Sequence, residues 1–474
     1  MTASNLNDLV KVWAESFGVK LNAGDKNNSI LRKNIEYIGG NDAQYFGYIR
    51  PEEQASGSYS DFSYVVFPQE NNGECVLAIG VGSEGFRNDY DLAALPGLRR
   101  RFLHLLDINQ GGCKTYFLDI EKPVTYSFIE LVNNNAPALN GAVDKYKNVL
   151  SVYQLVDPDT ETGKKTLKAW LALYAEIRGW ATTIPQKQNI INAIRQGIIN
   201  PNYDSDLNKI RMLVKDRRFV VLQGAPGTGK TRLAKQIASE DNSEIIFTQF
   251  HAETTYSNFI YGIRPKLEKD VVQYEEVKGD LYRAIEFAEI LKERRSDKKV
   301  YLIIDEINRA NLATVLGPIF YLFEYQMSES LIKIDLGGGK MISQIPDNLY
   351  VIATMNTADR SLAVVDFALR RRFAWYTLKP SSIPDEDLPN GLRFFREQFD
   401  KINSLFELYA SDEELNLQPG QGYFIAADEQ SMKNRMIYEL MSLIKEYFTE
   451  GLLLRARDEF VNYFYNETGE LLYK

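Results

Sequence analysis

Residues 218–231 read Arg-Phe-Val-Val-Leu-Gln-Gly-Ala-Pro-Gly-Thr-Gly-Lys-Thr, an apolar run that leads directly into a glycine-rich loop. The loop fits the pattern G-x-x-x-x-G-K-[ST], which surrounds phosphate groups when it joins a strand to a helix. The loop is expected to join a strand to a helix here, because residues 219–222 have the composition of a buried strand and the apolar residues after the loop recur at helical spacing. The stretch predicts an α/β fold, a parallel sheet flanked by helices; a chance glycine-rich turn is the alternative.

Each part of the loop has its own predicted task. The glycines let backbone N–H groups converge on phosphate oxygens, Lys230 reaches the β- and γ-phosphates, and the Thr231 hydroxyl binds Mg²⁺. The helix that follows adds the positive end of its dipole. The predicted nucleotide-binding residues are Gly224, Ala225, Pro226, Gly227, Thr228, Gly229, Lys230, Thr231 and Arg232.

A second apolar strand, residues 300–304, ends in the two carboxylates Asp305 and Glu306. Because side chains alternate along a strand, the two carboxylates are expected to point in different directions and to perform different tasks. We expect Asp305 to hold the Mg²⁺ shell together with Thr231, and Glu306 to polarise the attacking water. An acidic strand terminus without catalytic function is the alternative.

A third strand, residues 350–354, is followed by Met-Asn-Thr-Ala-Asp-Arg-Ser at positions 355–361. The Asn356 amide can hydrogen-bond the γ-phosphate or the attacking water without adding charge, and Asp359 can orient that water or a neighbouring arginine. A turn or helix cap would use the same residue types.

Three arginines, Arg370, Arg371 and Arg372, lie on a predicted helix just beyond this segment. Three consecutive side chains on a helix cannot all face one partner. One or two of them can stabilise transition-state charge at a neighbouring subunit's γ-phosphate. A solvated basic helix end, favoured by the helix dipole, is the alternative.

Composition sets the broad class of protein. The chain has 474 residues, 45% of them hydrophobic, and a net charge of −9. This length favours two to four domains, and the acidic balance argues against a uniformly basic nucleic-acid coat protein. Neither the two cysteines nor the two histidines have metal-ligand spacing. No apolar run has the length of a membrane span, and the first 18 residues resemble an amphipathic helix rather than a signal peptide, so we expect a cytoplasmic protein without membrane contact.

The pattern along the chain predicts four segments. Residues 1–180 form an α+β domain with strands at 45–49, 64–67, 75–81 and 115–118, a hairpin turn at 71–73 and a helical part from 126 onward. Residues 181–203 form a linker with a hinge at 200–202. Residues 204–380 form the nucleotide-binding core, with strands at 219–222, 245–248, 301–304 and 350–354. Residues 381–474 form a helical lid with a turn at 418–424.

Three further segments resemble a known family. Residues 305–312 read Asp-Glu-Ile-Asn-Arg-Ala-Asn-Leu, residues 355–363 continue as Met-Asn-Thr-Ala-Asp-Arg-Ser-Leu-Ala, and residues 368–373 read Ala-Leu-Arg-Arg-Arg-Phe. Together with the loop they resemble the AAA+ proteins, and within these the McrB family of GTP-hydrolysing motor subunits in modification-dependent restriction systems. The resemblance covers about residues 205–450.

The resemblance implies a homohexameric ring that holds its nucleotide between subunits, with GTP as the preferred fuel and ATP possible. It implies that Asn356 and Asp359 position the catalytic water while Arg371 or Arg372 acts across the interface. It also implies an McrC-like partner that carries the nuclease. The segment Gln-Gly-Tyr-Phe at 421–424 departs from the family's Gly-His-Ser-Tyr-Phe, and no Asn-Lys-x-Asp guanine-reading motif is present.

In McrB-like proteins the N-terminal position holds a DNA-reading domain. Tyr45, Phe46 and Tyr48 can stack on an extruded base. Basic residues can hold phosphates, namely Arg99, Arg100, Arg101 and Lys114. Core aromatics and a solvated helix face are the alternatives. Residues 119–122 lack the Glu-x-Lys spacing of metal-dependent nucleases, so we expect no nuclease activity in this chain.

Two other functions are compatible with the loop. One is an ATP-dependent remodelling chaperone of the MoxR kind with no DNA role. Such remodellers more often carry Asn-Pro where this chain has Asn-Thr at 356–357, which favours the restriction motor. The other is a nucleotide-dependent scaffold without hydrolysis, against which the intact Lys230, Asp305, Glu306 and Asn356 count.

Overall fold

The computed structural model describes residues 1–21, 24–35, 43–69, 73–198, 206–240, 243–268, 271–324, 332–358 and 367–473. The chain divides into two compact units. The first comprises Met1–Asn202 with Glu407–Tyr409, and the second comprises Tyr203–Phe406 with Ala410–Lys474. Among the described residues, no helix is both long enough and apolar enough to cross a bilayer.

The first unit is built on a six-stranded antiparallel sheet of strand order β1-β2-β3-β4-β6-β5. The elements in chain order are α1 (Ala3–Ser16), β1 (Ile30–Asn34), β2 (Tyr45–Ile49), β3 (Phe62–Phe67), β4 (Cys75–Val81), α2 (Tyr90–Ala93), α3 (Pro96–Leu105), β5 (Gly111–Cys113), α4 (Tyr126–Asn135), α5 (Asn140–Tyr146), β6 (Leu150–Val156), α6 (Glu161–Ile177) and α7 (Ile184–Gly197). Alternate strand residues form two apolar cores, one shared with α1 and α6 and the other with α4 and α5.

Three expectations for this unit were wrong or incomplete. Residues 115–118 are not a strand, and the sheet instead takes β5 from residues 111–113. The stretch 150–156, assigned to a helical part, is strand β6, which lies between β4 and the edge strand β5, and all its residues are buried. A strand buried on both faces loses the polar–apolar alternation by which strands are recognised. The linker 181–203 contains α7, and the predicted turn 71–73 and hinge 200–202 fall largely outside the described residues.

The aromatic residues proposed to stack on a base lie mostly in the core. Phe46 and Tyr48 are fully buried, and the Tyr48 ring meets Trp180 edge-on at 5.3 Å between centroids. Because β2 is covered by helices on this face, neither ring can reach a ligand, and that prediction was wrong for both. Tyr45 has the opposite strand parity and is only partly buried.

Three of the basic residues proposed to hold phosphates, two arginines and a lysine, make hydrogen bonds or ion pairs within the unit. Arg99 donates to the carbonyl of Lys114, and Arg101 pairs with Glu176. The Lys114 ammonium donates to two backbone carbonyls, those of Asp119 and Asn148, and burial lowers its pKa to about 8. Arg99, Arg101 and Lys114 thus make intramolecular contacts, and a phosphate-binding role for them stays a prediction.

The second unit contains the predicted parallel sheet, with strand order β15-β7-β14-β11-β8. Its elements up to the sheet's last strand are α8 (Asp206–Arg217), β7 (Phe219–Gly224), α9 (Lys230–Glu240), β8 (Glu244–Gln249), α10 (Tyr256–Phe259), β9 (Tyr261–Glu268), β10 (Val271–Lys278), α11 (Asp280–Glu293), β11 (Val300–Asp305), α12 (Leu312–Leu316), β12 (Ile334–Asp335), β13 (Met341–Ile342), β14 (Leu349–Asn356), α13 (Phe367–Arg372) and β15 (Ala374–Thr377). The four strands predicted for this region are confirmed, while β15 was not anticipated.

Helices cover both faces of this sheet. One apolar cluster joins α8 and α9 to it, and a larger one joins α11 and α12. Strands β7, β14 and β11 lie side by side in the middle, so their carboxyl ends meet at one edge. Parallel sheets of this kind bind ligands at that edge.

The C-terminal part is mainly helical, as predicted. It comprises β16 (Arg393–Phe394), α14 (Arg396–Tyr409), β17 (Ile425–Ala426), α15 (Glu429–Arg435), α16 (Met441–Thr449) and α17 (Arg457–Thr468). The two short strands pair with each other, and a short 3₁₀ turn at Gln421–Phe424 precedes the second.

Candidate nucleotide-binding and hydrolysis site

The glycine-rich loop connects the end of β7 to the start of α9. Gly227 and Gly229 have φ values of 79° and 81°, a region that L-residues with a Cβ rarely adopt. A Cβ on Gly227 would also lie 2.9 Å from the Tyr423 ring. The two glycines therefore permit both the loop's curvature and the close approach of the C-terminal segment.

Lys230 lies inside the loop and is only 7% exposed. Its ammonium donates to the carbonyls of Gly224 and Ala225, each at 2.9 Å, and to Asn356 Oδ1 at 2.7 Å. An ammonium has three N–H donors and no acceptor, so this geometry uses its full capacity. Phosphate oxygens are the stronger acceptors for such a donor.

Thr231 and Asp305 bring two oxygens together where β11 ends beside the loop. The Thr231 hydroxyl donates to Asp305 Oδ1 at 2.6 Å, and the buried Thr354 hydroxyl donates to the same oxygen at 2.7 Å. Mg²⁺ binds oxygen ligands and commonly takes only one or two from the protein beside substrate phosphates. A hydroxyl and a carboxylate at this separation fit that requirement.

Glu306 follows Asp305 with a left-handed backbone, φ 55°. A non-glycine residue in this region is uncommon and is often found at functional sites. The conformation directs Glu306 Oε1 to accept a hydrogen bond from Asn356 Nδ2 at 2.6 Å, while Oε2 lies 3.5 Å from Arg309 Nε. The Glu306 N–H donates to the Thr354 hydroxyl at 3.1 Å. The two adjacent carboxylates thus contact different groups.

Asn356, the last residue of β14, connects the loop lysine to this glutamate. Its Oδ1 accepts from Lys230 and its Nδ2 donates to Glu306. The two contacts fix the amide orientation, because lysine can only donate and a carboxylate can only accept. Strand pairing places Asn356 directly opposite Gly224 of the loop. The arrangement forms a continuous chain of hydrogen bonds from the loop lysine to Glu306.

Two residues beside this group carried no sequence signal that singled them out. The Thr354 hydroxyl contacts the Asp305 carboxylate and the backbone N–H of Glu306. Asn308 is buried, donates to the Asn356 carbonyl at 3.3 Å, and has an Oδ1 with no hydrogen-bond partner among the described residues. Both are buried polar residues close to the carboxyl end of a strand, Thr354 in β14 and Asn308 three residues after β11.

The turn at 418–424 lies against the glycine-rich loop that connects β7 to α9. Gly420 N–H donates to the Pro226 carbonyl, Gly422 N–H to that of Gly227, and Gln421 Nε2 to that of Thr228, each at 2.9 Å. The departure from the family pattern thus places a glutamine amide, rather than a histidine, on the loop.

The remaining predicted residues do not join this group in the described structure. Asp359 lies outside the described residues. Arg372 is largely buried and pairs with Glu324 at 2.8 Å, and Arg370 lies over the Trp375 ring at 5.3 Å. Arg371 is exposed and makes no ion pair with any residue that the structure describes.

Fold and site together define a P-loop domain of the AAA+ class. Residues 219–373 match the family model described as AAA domain (dynein-related subfamily). The particular likeness is to McrB, since the chain is 30% identical over 256 residues to the type IV methyl-directed restriction enzyme EcoKMcrB subunit of Escherichia coli K12, covering 49% of this chain and 54% of that protein. The predicted resemblance is confirmed: residues 219–373 form an AAA domain, and about half of the chain is similar to McrB.

Two further comparisons were found. The type II restriction enzyme BsuMI component YdiS of Bacillus subtilis 168 is 28% identical over 211 residues, covering 36% of this chain and 60% of that protein. The chain thus spans little more than half the length of these two curated relatives. A solved structure of a RuvB mutant from Thermotoga maritima is 22% identical, with a TM-score of 0.23 and coverage of 43% of this chain and 50% of that chain.

Proposed function

We propose that the chain hydrolyses a nucleoside triphosphate, GTP in preference to ATP, as the motor subunit of an McrBC-like restriction system. The observation that carries the proposal is the hydrogen-bonded chain Lys230–Asn356–Glu306 beside the Thr231–Asp305 oxygen pair. It joins a phosphate-binding cation, a neutral positioning amide, a base and a metal-binding pair at one sheet edge. The preference for GTP rests on the likeness to McrB.

The proposed hydrolysis follows from the positions of these side chains. Loop N–H groups and the Lys230 ammonium bind the β- and γ-phosphate oxygens, while Thr231 and Asp305 would hold Mg²⁺, which neutralises charge developing on the phosphates. The Asn356 amide orients the attacking water without adding charge. Glu306 accepts a hydrogen bond from that water and polarises it toward the γ-phosphorus. Asp359 is proposed to assist in positioning the water.

A direct test is the release of inorganic phosphate from GTP and from ATP in the presence of Mg²⁺. Assays of the purified chain, with and without DNA, are expected to show turnover with GTP the faster substrate. Equal rates for both nucleotides would reject the preference, and hydrolysis of neither under any of these conditions would reject the motor itself.

The assembly is part of the same proposal. We infer that the chain forms a homohexamer in which Arg371 acts on the neighbouring subunit's nucleotide, because Arg371 is exposed whereas Arg372 is held by Glu324. An McrC-like subunit would supply the nuclease, and this chain would supply none. Light scattering with and without nucleotide tests the ring: a mass that stays monomeric at saturating nucleotide would contradict it.

We also propose that the N-terminal unit recognises DNA. One relative is described as a methyl-directed restriction enzyme, which supports DNA as the target of the system. A cytoplasmic location accords with this function. Binding of duplexes with and without methylated bases by the full chain tests the proposal, and no binding to either duplex would oppose it.

A further inference from the structure

A groove of about 320 Å³ lies between helices α14 and α17 of the second unit. One wall is formed by Glu397, Gln398 and Lys401 of α14, and α17 forms the other. The two helices also meet in an apolar contact between the rings of Phe406 and Phe460, whose centroids lie 5.8 Å apart. The volume is at the lower end of the range of sites that bind small molecules, which spans roughly 300–1,000 Å³.

The wall that α17 supplies is polar at positions where a packed helix is normally apolar. Its lining residues recur at positions i, i+3, i+4, i+7 and i+8, and they are Glu459, Asn462, Tyr463, Asn466 and Glu467. This spacing places them on one face of the helix, and such a face is usually apolar when it packs directly against another element. A polar stripe of this kind is instead covered by water or by a polar ligand.

The Tyr463 hydroxyl distinguishes this groove from a solvated surface. The residue is only 7% exposed, and its hydroxyl oxygen is buried without a hydrogen-bond partner among the described residues. Burial raises the pKa of this hydroxyl, and the charges of Glu467 and Glu397, one on each wall, raise it further. The hydroxyl therefore stays protonated and lies within electrostatic reach of both walls. Because an unpaired buried hydroxyl is costly, this atom points to a bound group that pairs with it.

The charge that lines the groove is predominantly negative. Its three carboxylates are those of Glu397, Glu459 and Glu467, and Lys401 is the one cation among the described lining residues. None of these four side chains forms an ion pair with any residue that the structure describes, while Glu467 accepts a hydrogen bond from Gln398 Nε2 at 3.4 Å. Carboxylates without a paired cation favour a ligand that carries positive charge.

The carboxylates are spread along the groove rather than gathered at one point. Glu459 and Glu467 are eight positions apart on α17, which corresponds to about 12 Å along the helix axis. Within the described part of the chain, no group of three or more acidic, histidine or cysteine side chains is arranged to hold a metal ion. An elongated ligand with cations at intervals therefore fits the groove better than a single ion does.

We propose that the groove between α14 and α17 binds a linear polyamine, a small flexible chain that carries two or more ammonium groups. Separate ammonium groups pair with Glu459 and Glu467, and an N–H between them donates to the Tyr463 hydroxyl oxygen. An ammonium can only donate, whereas carboxylates and the tyrosine oxygen can accept, so the donors and acceptors match. None of these residues belongs to the nucleotide-binding group, and the site does not depend on the proposed hydrolysis.

The test is calorimetry of spermidine with the full chain, without nucleotide, because nucleotide phosphates would themselves bind the polyamine. n-Butylamine, which has a single ammonium group, is the comparison ligand. Tyr463→Phe removes only the hydroxyl, and Glu459→Gln and Glu467→Gln each remove one charge. Asp458→Asn is the matched control, because Asp458 is an exposed carboxylate in the same first turn of α17 as Glu459 but does not line the groove. Thermal unfolding without ligand verifies that each variant is folded.

We expect each glutamine variant to weaken spermidine binding by about two- to fivefold, the range of one solvent-exposed ion pair. The double variant should lose about tenfold, because sites this far apart act almost independently. Tyr463→Phe should weaken binding about fivefold, as for one hydrogen bond, without lowering the unfolding temperature, since it removes a hydroxyl that is unpaired before the ligand binds. Asp458→Asn should bind spermidine as wild type does, and n-butylamine should bind wild type more weakly than spermidine.

Failure of spermidine to bind would overturn the proposal, as would equal affinity in wild type and in all the groove variants. An equal loss in Asp458→Asn and in the glutamine variants would reduce the binding to attraction by the acidic chain as a whole, and the site would be rejected. If spermidine fails to bind while Glu459→Gln and Glu467→Gln lower the mass measured by light scattering, the groove receives a basic side chain of a second copy of this chain instead of a polyamine.

Discussion

Asn356 shows at the scale of one residue what the sequence indicated and what required the structure. Its position after a strand predicted an amide near the γ-phosphate. The structure adds that the amide bridges Lys230 and Glu306, with both its polar atoms engaged. Thr354 could not be anticipated in the same way, because a buried threonine is ordinary in a strand. Its task depends on the register that sets β14 beside β11.

Lys230→Ala should abolish nucleotide binding and, with it, ring assembly. The substitution removes the one ammonium inside the loop and leaves the carbonyls of Gly224 and Ala225 without that donor. Calorimetry with GTP and ATP measures the first effect and light scattering the second. Lys235→Ala on the same helix is the matched control, since Lys235 is exposed and lies over the Phe247 ring at 4.2 Å. Tight binding retained by Lys230→Ala would contradict the role given to the loop.

Glu306→Gln should leave nucleotide binding intact and reduce turnover by about 10²–10⁴-fold, the usual contribution of a positioned general base. The glutamine keeps the shape and can still accept from Asn356 Nδ2, but it loses the charge that polarises the water. Rapid-quench hydrolysis alongside calorimetry separates the two effects. A variant that hydrolyses at the wild-type rate would remove Glu306 from the mechanism.

At the scale of elements, the parallel core was predictable and the antiparallel unit was less so. Short apolar strands between amphipathic helices indicate parallel order, and each functional loop follows one of them. Strand β6 was missed because all its positions are buried, which removes the alternation signal. The sequence of β2 indicated which side chains share a face of the sheet, but a period of two does not say which face the helices cover. The stacking prediction named residues of both parities, and Phe46 and Tyr48 lie on the covered face.

The C-terminal turn is the element whose importance emerged only in three dimensions. Its backbone donates to the carbonyls of Pro226 and Gly227, so direct hydrogen bonds join the glycine-rich loop to the C-terminal helical part. The residue types at 418–424 indicated a turn, but nothing local encodes its contact with a loop almost two hundred residues earlier.

Gly420→Ala should weaken nucleotide affinity about tenfold by moving the lid off the loop. A Cβ at this position would lie 2.1 Å from the Gly227 carbonyl carbon, so the contact cannot persist. Losing the two or three hydrogen bonds of this contact should weaken the free energy of nucleotide binding by about 1–3 kcal/mol. Titration with a fluorescent GTP analogue measures the loss.

Gly317→Ala serves as the control for Gly420→Ala, because an added Cβ there meets no heavy atom within 4 Å. Its affinity should equal that of wild type. An unchanged affinity in Gly420→Ala as well would mean that the lid contact does not contribute to nucleotide binding.

At the scale of the whole molecule, the two units differ in how far their sequences reveal function. The core carries motifs in which residue type and spacing together specify chemistry, so the class of protein follows from them. The N-terminal unit has no such motif, and a cavity over its sheet is lined by residues of β1, β2, β3, β4 and the connecting segments, which meet only in the folded sheet. Tyr45 is the single residue from the predicted stacking group that lines it.

The arginine cluster leads to a prediction about the assembled ring. Arg371 is exposed, while Arg372 is bound to Glu324 and lies 5.5 Å from the Phe320 ring centre. If Arg371 acts in trans, Arg371→Ala and Glu306→Gln should each lack activity alone, yet a mixture should recover part of it. In a ring assembled at random from equal amounts, about a quarter of the junctions would combine an intact Glu306 with an intact Arg371.

Phosphate release measured across mixing ratios should therefore rise to a maximum near equal proportions. Arg372→Ala is the comparison variant. Loss of its contact with the Glu324 carboxylate should lower the unfolding temperature, and a poorly folded subunit does not restore activity to Glu306→Gln in a mixture. Absence of recovery at every ratio, with both variants folded and assembled by light scattering, would place Arg371 outside the reaction. Recovery by Arg372→Ala in its place would exchange the roles assigned to the two arginines.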